Sequence, residues 1–280
     1  NNSNFRLIAS MEILFFCPRW GSEHLSPEVF LAKVKATGYD GVECGLPVDE
    51  EEKDRLLNGL AKYGLRFIGQ HWETVTHDFS QHLQEYEHRL TQLALANPQF
   101  INSQTGKDYY SFAQNEQLIN IGRHITAASG IPVKHETHRG KFSFAAHGMQ
   151  EYFEKLPWLR ITLDISHWCA VAETLLHDQE KAVQTAISHT DHIHSRVGHT
   201  QGPQVIDPRA PECLDALNFH LDCWDKVIAL KRKNGDPFFT ITPEFGAPPY
   251  LHLFPYTKQP IVNQWEVNVF MMELLRKRYS

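Results

Sequence analysis

The sequence predicts an α/β protein, a single (β/α)8 barrel spanning residues 1–280, and three observations carry that prediction. A short apolar strand followed by an amphipathic helix recurs eight times along the chain. The 280 residues are enough for such a barrel, which typically needs about 250. Neither G-x-G-x-x-G nor G-x-x-x-x-G-K-[ST] occurs, so the phosphate loops common in open doubly wound sheets are missing.

The first strand is expected within residues 5–16. Ser26-Pro27-Glu28 then reads as an N-cap, a proline at the first helical position and an acidic first turn, and Gly38 ends that helix. Gly41-Val42-Glu43-Cys44 is the second strand; its helix opens on an acidic run at 49–52 and closes at Gly64. The third strand covers 66–71, followed by a helix with Leu83, Tyr86, Leu90 and Leu93 on one face. The fourth is Phe100-Ile101-Asn102, with a helix through Leu118, Ile121 and Ile125 that ends at Gly130. Strands five to eight are expected at 131–136, 160–164, 191–196 and 238–244, each backed by an amphipathic helix. A Pro/Gly-rich stretch at 198–211 follows strand seven and is expected to lie as a loop over the active-site face, a lid or simply a surface loop.

Composition narrows the function. Apolar residues make up 42% of the chain, enough for a sizeable core. The net charge of −6 lacks the electrostatic footprint of a nucleic-acid binder, and no apolar run is long enough to span a bilayer. Neither nucleic acid nor membrane is therefore expected as a partner. The five cysteines are odd in number and form no C-x-x-C pair, which argues against a disulfide framework or zinc ribbon. A cytoplasmic location is the expectation, with export left open because the chain does not begin with Met.

Chemistry is expected at the C-terminal ends of the strands. There, strands five to eight offer His135-Glu136-Thr137-His138, Asp164-Ile165-Ser166-His167, His192-Ile193-His194 and Thr242-Pro243-Glu244. Strand alternation pairs Lys134 with Glu136, Thr162 with Asp164, His192 with His194 and Thr242 with Glu244 on common faces. If those faces point inward, Glu136, Asp164, His194 and Glu244 converge. Three clustered acids would repel one another, and a divalent ion (Mn, Mg, Co or Zn) removes that conflict.

This pattern resembles the xylose-isomerase-like TIM-barrel superfamily of sugar isomerases, epimerases and dehydratases, which includes the endonuclease IV branch. The resemblance runs from Gly38-Tyr39-Asp40-Gly41-Val42-Glu43 to Glu244-Phe245-Gly246. It implies a metal held by Glu136, Asp164, His194 and Glu244, the positions that match the ketose 3-epimerase ligands, with His167 on substrate oxygens. It also implies that Glu136 and Glu244 act as an acid/base pair beside a metal-polarised carbonyl, on a small carbohydrate or polyol.

Further expected substrate contacts are Arg196, facing inward two residues past His194, with Glu43 and His71 at the ends of strands two and three. Trp72 and Trp168 are candidate stacking surfaces for a sugar, with a core role the alternative for each. Lys134 is expected to pair with a rim carboxylate, which would raise its pKa. Inosose-type dehydration is the close alternative reaction. Zinc-cluster phosphodiester hydrolysis is the distant one, disfavoured by the lack of a D-x-H pair between His194 and Glu244. A homo-oligomer formed through the outer helices is compatible with such a barrel.

Overall fold

A computed structural model describes residues 11–280. The part of the expected first strand at 5–10 lies outside them. Eight parallel strands close into a barrel, each hydrogen-bonded to its sequence neighbours, with the last pairing back to the first. The strands are β1 (Glu12–Pro18), β2 (Gly41–Cys44), β3 (Arg66–His71), β4 (Ile101–Ser103), β5 (Val133–Glu136), β6 (Ile161–Leu163), β7 (Thr190–His194) and β8 (Phe238–Thr242). Between and after them run α1 (Pro27–Thr37), α2 (Glu50–Tyr63), α3 (Phe79–Leu95), α4 (Phe112–Ser129), α5 (Met149–Lys155), α6 (Ile165–Ala172), α7 (Glu180–His189), α8 (Leu214–Asn234) and α9 (Gln264–Tyr279).

The helix boundaries follow the local chemistry. The Ser26 hydroxyl accepts from Val29 N at 3.3 Å and Asp49 from Glu52 N at 2.8 Å, satisfying amides that the first turns leave free. Gly38 closes α1 in the left-handed region at φ 91°. The sixth crossover differs from expectation, holding two helices rather than one. Asp164 caps Ser166 N at 3.2 Å and so starts α6 directly after β6.

Two apolar layers hold the barrel. A large core, from Phe30 and Leu31 through Trp224 and Leu275, fills the space between strands and helices. A small inner cluster of Leu14, Phe16, Ile68 and Phe100 plugs the barrel itself. Polar side chains occupy the interior above that plug, which is why the site sits at one end. The basic run after Leu275 is tied to neighbouring elements: Arg276 Nη2 donates to Gly38 O (2.9 Å) and Arg278 binds Asp225.

A second charged cluster sits on the opposite side of that plug. Asp191 accepts from Arg160 Nε at 2.8 Å and from Lys231 Nζ. Burial works against its charge, but the bonds from Arg160 and Lys231 overcome this and hold the carboxyl well below its usual range. A carboxyl whose folded pKa is depressed contributes stability that is full above the unfolded value of about 3.9 and is lost as pH falls through the folded one. Asp191→Asn is therefore expected to cost roughly 1–3 kcal/mol in urea unfolding at pH 7. The gap from wild type should narrow below about pH 4. A gap independent of pH down to pH 2 would contradict this ion cluster.

Candidate metal centre and active site

The inward faces of β5 to β8 meet above the apolar plug. One donor atom from each of Glu136, Asp164, His194 and Glu244 lies within 4.8 Å of the other three, and all four residues are buried. His194 is the hub. Its Nε2 donates to Glu43 Oε1 at 2.8 Å, which turns Nδ1 toward Glu244 Oε2 at 2.9 Å and Glu136 Oε1 at 3.5 Å. Yet His194 Nδ1 and Glu136 Oε1 are both buried without a hydrogen-bond partner. Buried polar atoms are rarely left unpaired: with its proton on Nε2, His194 turns a lone pair toward the Glu136 and Glu244 oxygens, and a cation held between them would satisfy all three. Three carboxylates and one imidazole suit Mn²⁺, Mg²⁺, Co²⁺ or Zn²⁺ without selecting one.

Protons compete for the same position. Burial opposes charge on the His194 ring, but Glu244, Glu43 and Glu136 together raise its pKa well above the ordinary imidazole value. Burial likewise favours the neutral acid at both glutamates. The charged His194 reverses that at Glu136, which falls to about 2, and only moderates it at Glu244, which stays above the usual carboxyl range.

The expected contacts divide once placed. Arg196 does point inward: it is 2% exposed, and its Nη2 donates to Asp164 Oδ2 at 2.5 Å and lies 3.4 Å from Glu244 Oε2. His167 stands 3.7 Å from Asp164 but is fully enclosed, with Arg139 Nε at 3.2 Å from Nδ1 and Arg196 Nη2 at 3.1 Å from Nε2. Those guanidinium groups face both of its ring nitrogens, so the group formed by Glu136, His138 and His167 is poorly suited to a second metal.

Glu43 is a support rather than a pocket wall. It is 1% exposed and accepts from His194, from His192 Nε2 (3.1 Å), from Asn102 Nδ2 (2.8 Å) and from the Thr242 hydroxyl. A substrate in the cavity does not reach it.

Three more expectations need correction. His71 faces outward, bonding Thr74 Oγ1 at 2.7 Å and packing on Tyr86, because alternation along β3 turns its neighbour inward. That neighbour, Gln70, donates to Glu244 Oε1 at 2.9 Å. Trp168 is 1% exposed and gives its indole N–H to Ser143 O at 2.8 Å, so it belongs to the core and offers no face to a sugar. Lys134 lies one layer down, 3.5 Å above the Phe100 ring, with its ammonium on Asp191 O at 3.0 Å instead of a rim carboxylate. Burial pushes its pKa down to about 8, opposite to the expected direction.

A cavity of about 540 Å³ opens from Glu244 and Arg196 to solvent. Its walls include Trp20, Gln70, Trp72, Gln104, His138 and Tyr250. Of these, Trp20, Gln70, Gln104 and Tyr250 were not singled out in the sequence, nor was Asn102, which bonds Glu136 Oε2 at 3.1 Å as well as Glu43. Trp72, 55% exposed, does face the cavity. The 198–211 loop is packed rather than loose. Gln204 grips both the amide (2.6 Å) and the carbonyl (3.2 Å) of Gly246, fixing the chain that carries Glu244. Arg209 of that loop is paired with Asp207.

These features define a (β/α)8 barrel with a buried carboxylate–histidine centre at its C-terminal mouth. Its fold is that of a TIM barrel. No family model matches the chain, and no curated protein matches it. Among solved structures it resembles a probable 3-DHS dehydratase from Bacillus anthracis, with 18% identity, a TM-score of 0.58, and 95% of this chain and 99% of that one covered. It also resembles the 3-keto-D-glucoside 4-epimerase of E. coli, at 13% identity and TM-score 0.60 over 96% and 100% of the two chains. A xylose-isomerase-like barrel protein from Mycobacterium smegmatis, solved in complex with magnesium, aligns at 11% identity and TM-score 0.54 over 85% and 92%. At these identities the likeness is one of fold. Among the described residues no helix is long and apolar enough to cross a membrane.

Proposed function

We propose that the protein is a divalent-metal-dependent sugar or polyol isomerase or epimerase that moves a proton on the carbon next to a carbonyl. The observation that carries this reading is the convergence of Glu136, Asp164, His194 and Glu244, with His194 Nδ1 and Glu136 Oε1 buried and unpaired. A divalent ion held there would act as a Lewis acid on a substrate carbonyl and lower the cost of charge on the neighbouring carbon. Glu136 and Glu244 are the proton acceptor and donor, placed on two sides of the centre by different strands, with proton affinity pushed down at Glu136 by His194 and up at Glu244 by burial. Arg196 supplies positive charge next to that oxygen, and Trp20 and Trp72 offer apolar faces to the sugar ring.

Dehydration at the same centre is a second reading, and His138 favours it. This histidine stands beside Glu136, faces the cavity, and is held neutral at ordinary pH by burial. A neutral imidazole there is placed to take the proton from the carbon beside the carbonyl and pass that same proton to the departing hydroxyl, which leaves as water.

The test is solvent exchange. Metal-loaded protein is incubated in D2O with a panel of ketoses, 3-keto sugars and inososes, and deuterium is sought by NMR at the carbon beside the carbonyl. The expected result is incorporation that EDTA abolishes and that Glu136→Gln or Glu244→Gln slows at least about a hundredfold. Turnover of a panel member without incorporation, or incorporation indifferent to EDTA, would sink the proposal.

A further inference from the structure

The acid cluster already contains a cation. Arg196 enters from the end of β7 with its guanidinium 4.8 Å from the Tyr250 ring centre and 5.8 Å from that of Trp20. Its Nη2 binds Asp164 Oδ2, while the other oxygen of Asp164 accepts from the amide and hydroxyl of Ser166. Asp164 thus has both oxygens engaged, whereas Glu136 Oε1 and His194 Nδ1 remain unpaired. A divalent ion needs a lone pair of Asp164 and would bring like charge against the guanidinium. The arginine has somewhere to go: it lines the cavity, and its Nη1 is buried with no partner.

Resting on the reading of these four residues as a metal site, we infer that Arg196 is the resident counter-ion of the metal-free centre, which gives up Asp164 when a divalent ion enters and turns its guanidinium to a substrate oxygen. In the metal-free protein the Arg196 guanidinium, bonded to Asp164 and 3.4 Å from Glu244, offsets charge in the carboxylate cluster, so the cluster folds without metal. Metal entry replaces the arginine at Asp164. The freed guanidinium then completes the substrate site, which couples the two binding events: substrate that engages Arg196 tightens the metal, and metal tightens the substrate by the same factor.

The direction of the arginine's effect separates this role from a supporting one. An arginine that merely orients Asp164 for the metal would weaken metal binding when removed. A resident counter-ion would strengthen it. Titration of Mn²⁺ into metal-free wild type and Arg196→Met, followed by calorimetry, is expected to show at least about tenfold tighter binding by the variant. The metal-free variant should also melt below metal-free wild type, with the difference reduced once both hold Mn²⁺. Arg196→Lys keeps the charge but loses the planar fork, and should bind Mn²⁺ between the two.

A variant-free check is the crystal structure of the Mn²⁺-loaded wild type, in which Arg196 should no longer be within hydrogen-bond reach of Asp164. Equal or weaker Mn²⁺ binding by Arg196→Met, or an Arg196–Asp164 bond persisting beside the bound ion, overturns the inference. Failure of wild type to bind any divalent ion overturns instead the metal-site reading beneath it.

Discussion

His194→Ala is expected to reduce divalent-metal affinity at least about a hundredfold, the upper end of what losing a partner behind a ligand costs. The imidazole is the only nitrogen donor among the four converging residues, and Glu43 has already fixed which of its nitrogens faces them. The same change removes the charge that offsets Glu244, Glu43 and Glu136 in the metal-free protein. Those buried carboxyls must then take up protons, and a group whose folded pKa is raised stabilises at low pH and loses that stabilisation as pH rises. Metal-free His194→Ala should therefore go on gaining stability toward urea as pH is lowered from 6 to 4.5, a range in which the raised-pKa His194 of wild type has nothing more to add. Unchanged Mn²⁺ affinity in calorimetry would show that the ring is not a ligand. A pH-independent urea midpoint would show that it is not the counter-ion.

The second large effect is at Glu43, which touches no substrate in this account. Glu43→Gln keeps the shape but removes the negative charge that orients His194, His192 and Asn102. Partners behind a metal ligand are worth about ten- to a hundredfold in metal affinity, and that loss is expected here. Glu43→Ala goes further. It strands polar groups of His192, His194, Asn102 and Thr242 in an interior site, at a cost of about 3–5 kcal/mol in chemical unfolding. If Glu43→Gln bound Mn²⁺ as wild type does while Glu43→Ala only lost stability, Glu43 would be structural cement alone.

Much of this centre was legible in the sequence because period-two alternation and strand order both constrain it. Glu136 and His194 each end a strand and Glu244 follows β8 by two residues, and their partners two residues back, Lys134, His192 and Thr242, do share the interior as alternation requires. Alternation carries no absolute phase. At the end of β3 two polar residues stand side by side, and nothing local says that Gln70 rather than His71 turns inward. Height along the barrel axis was equally hidden, because it depends on the stagger between strands. Lys134 and Glu136 share a face, yet one lies against Phe100 near the plug and the other at the rim. Trp168 misled for a different reason: Asp164 caps a helix, so the residues after it wind away from the mouth. Trp20 and Tyr250 come from loops after β1 and β8, and only the closure of the barrel brings their rings within 5.1 Å. Asn102 offered a usable signal, as the lone polar side chain of Phe100-Ile101-Asn102, and its two bonds into the cluster explain it.

The account stands or falls on whether the four converging residues hold a metal. Chelator-stripped protein is equilibrated with Mn²⁺, Mg²⁺, Co²⁺ and Zn²⁺ in turn, freed of unbound ion, and analysed for metal per chain. The account predicts one equivalent for at least one of these ions in wild type, and a much reduced content in Glu136→Gln and His194→Ala. No retained or titratable metal in folded wild type, or about three equivalents of zinc, would contradict it.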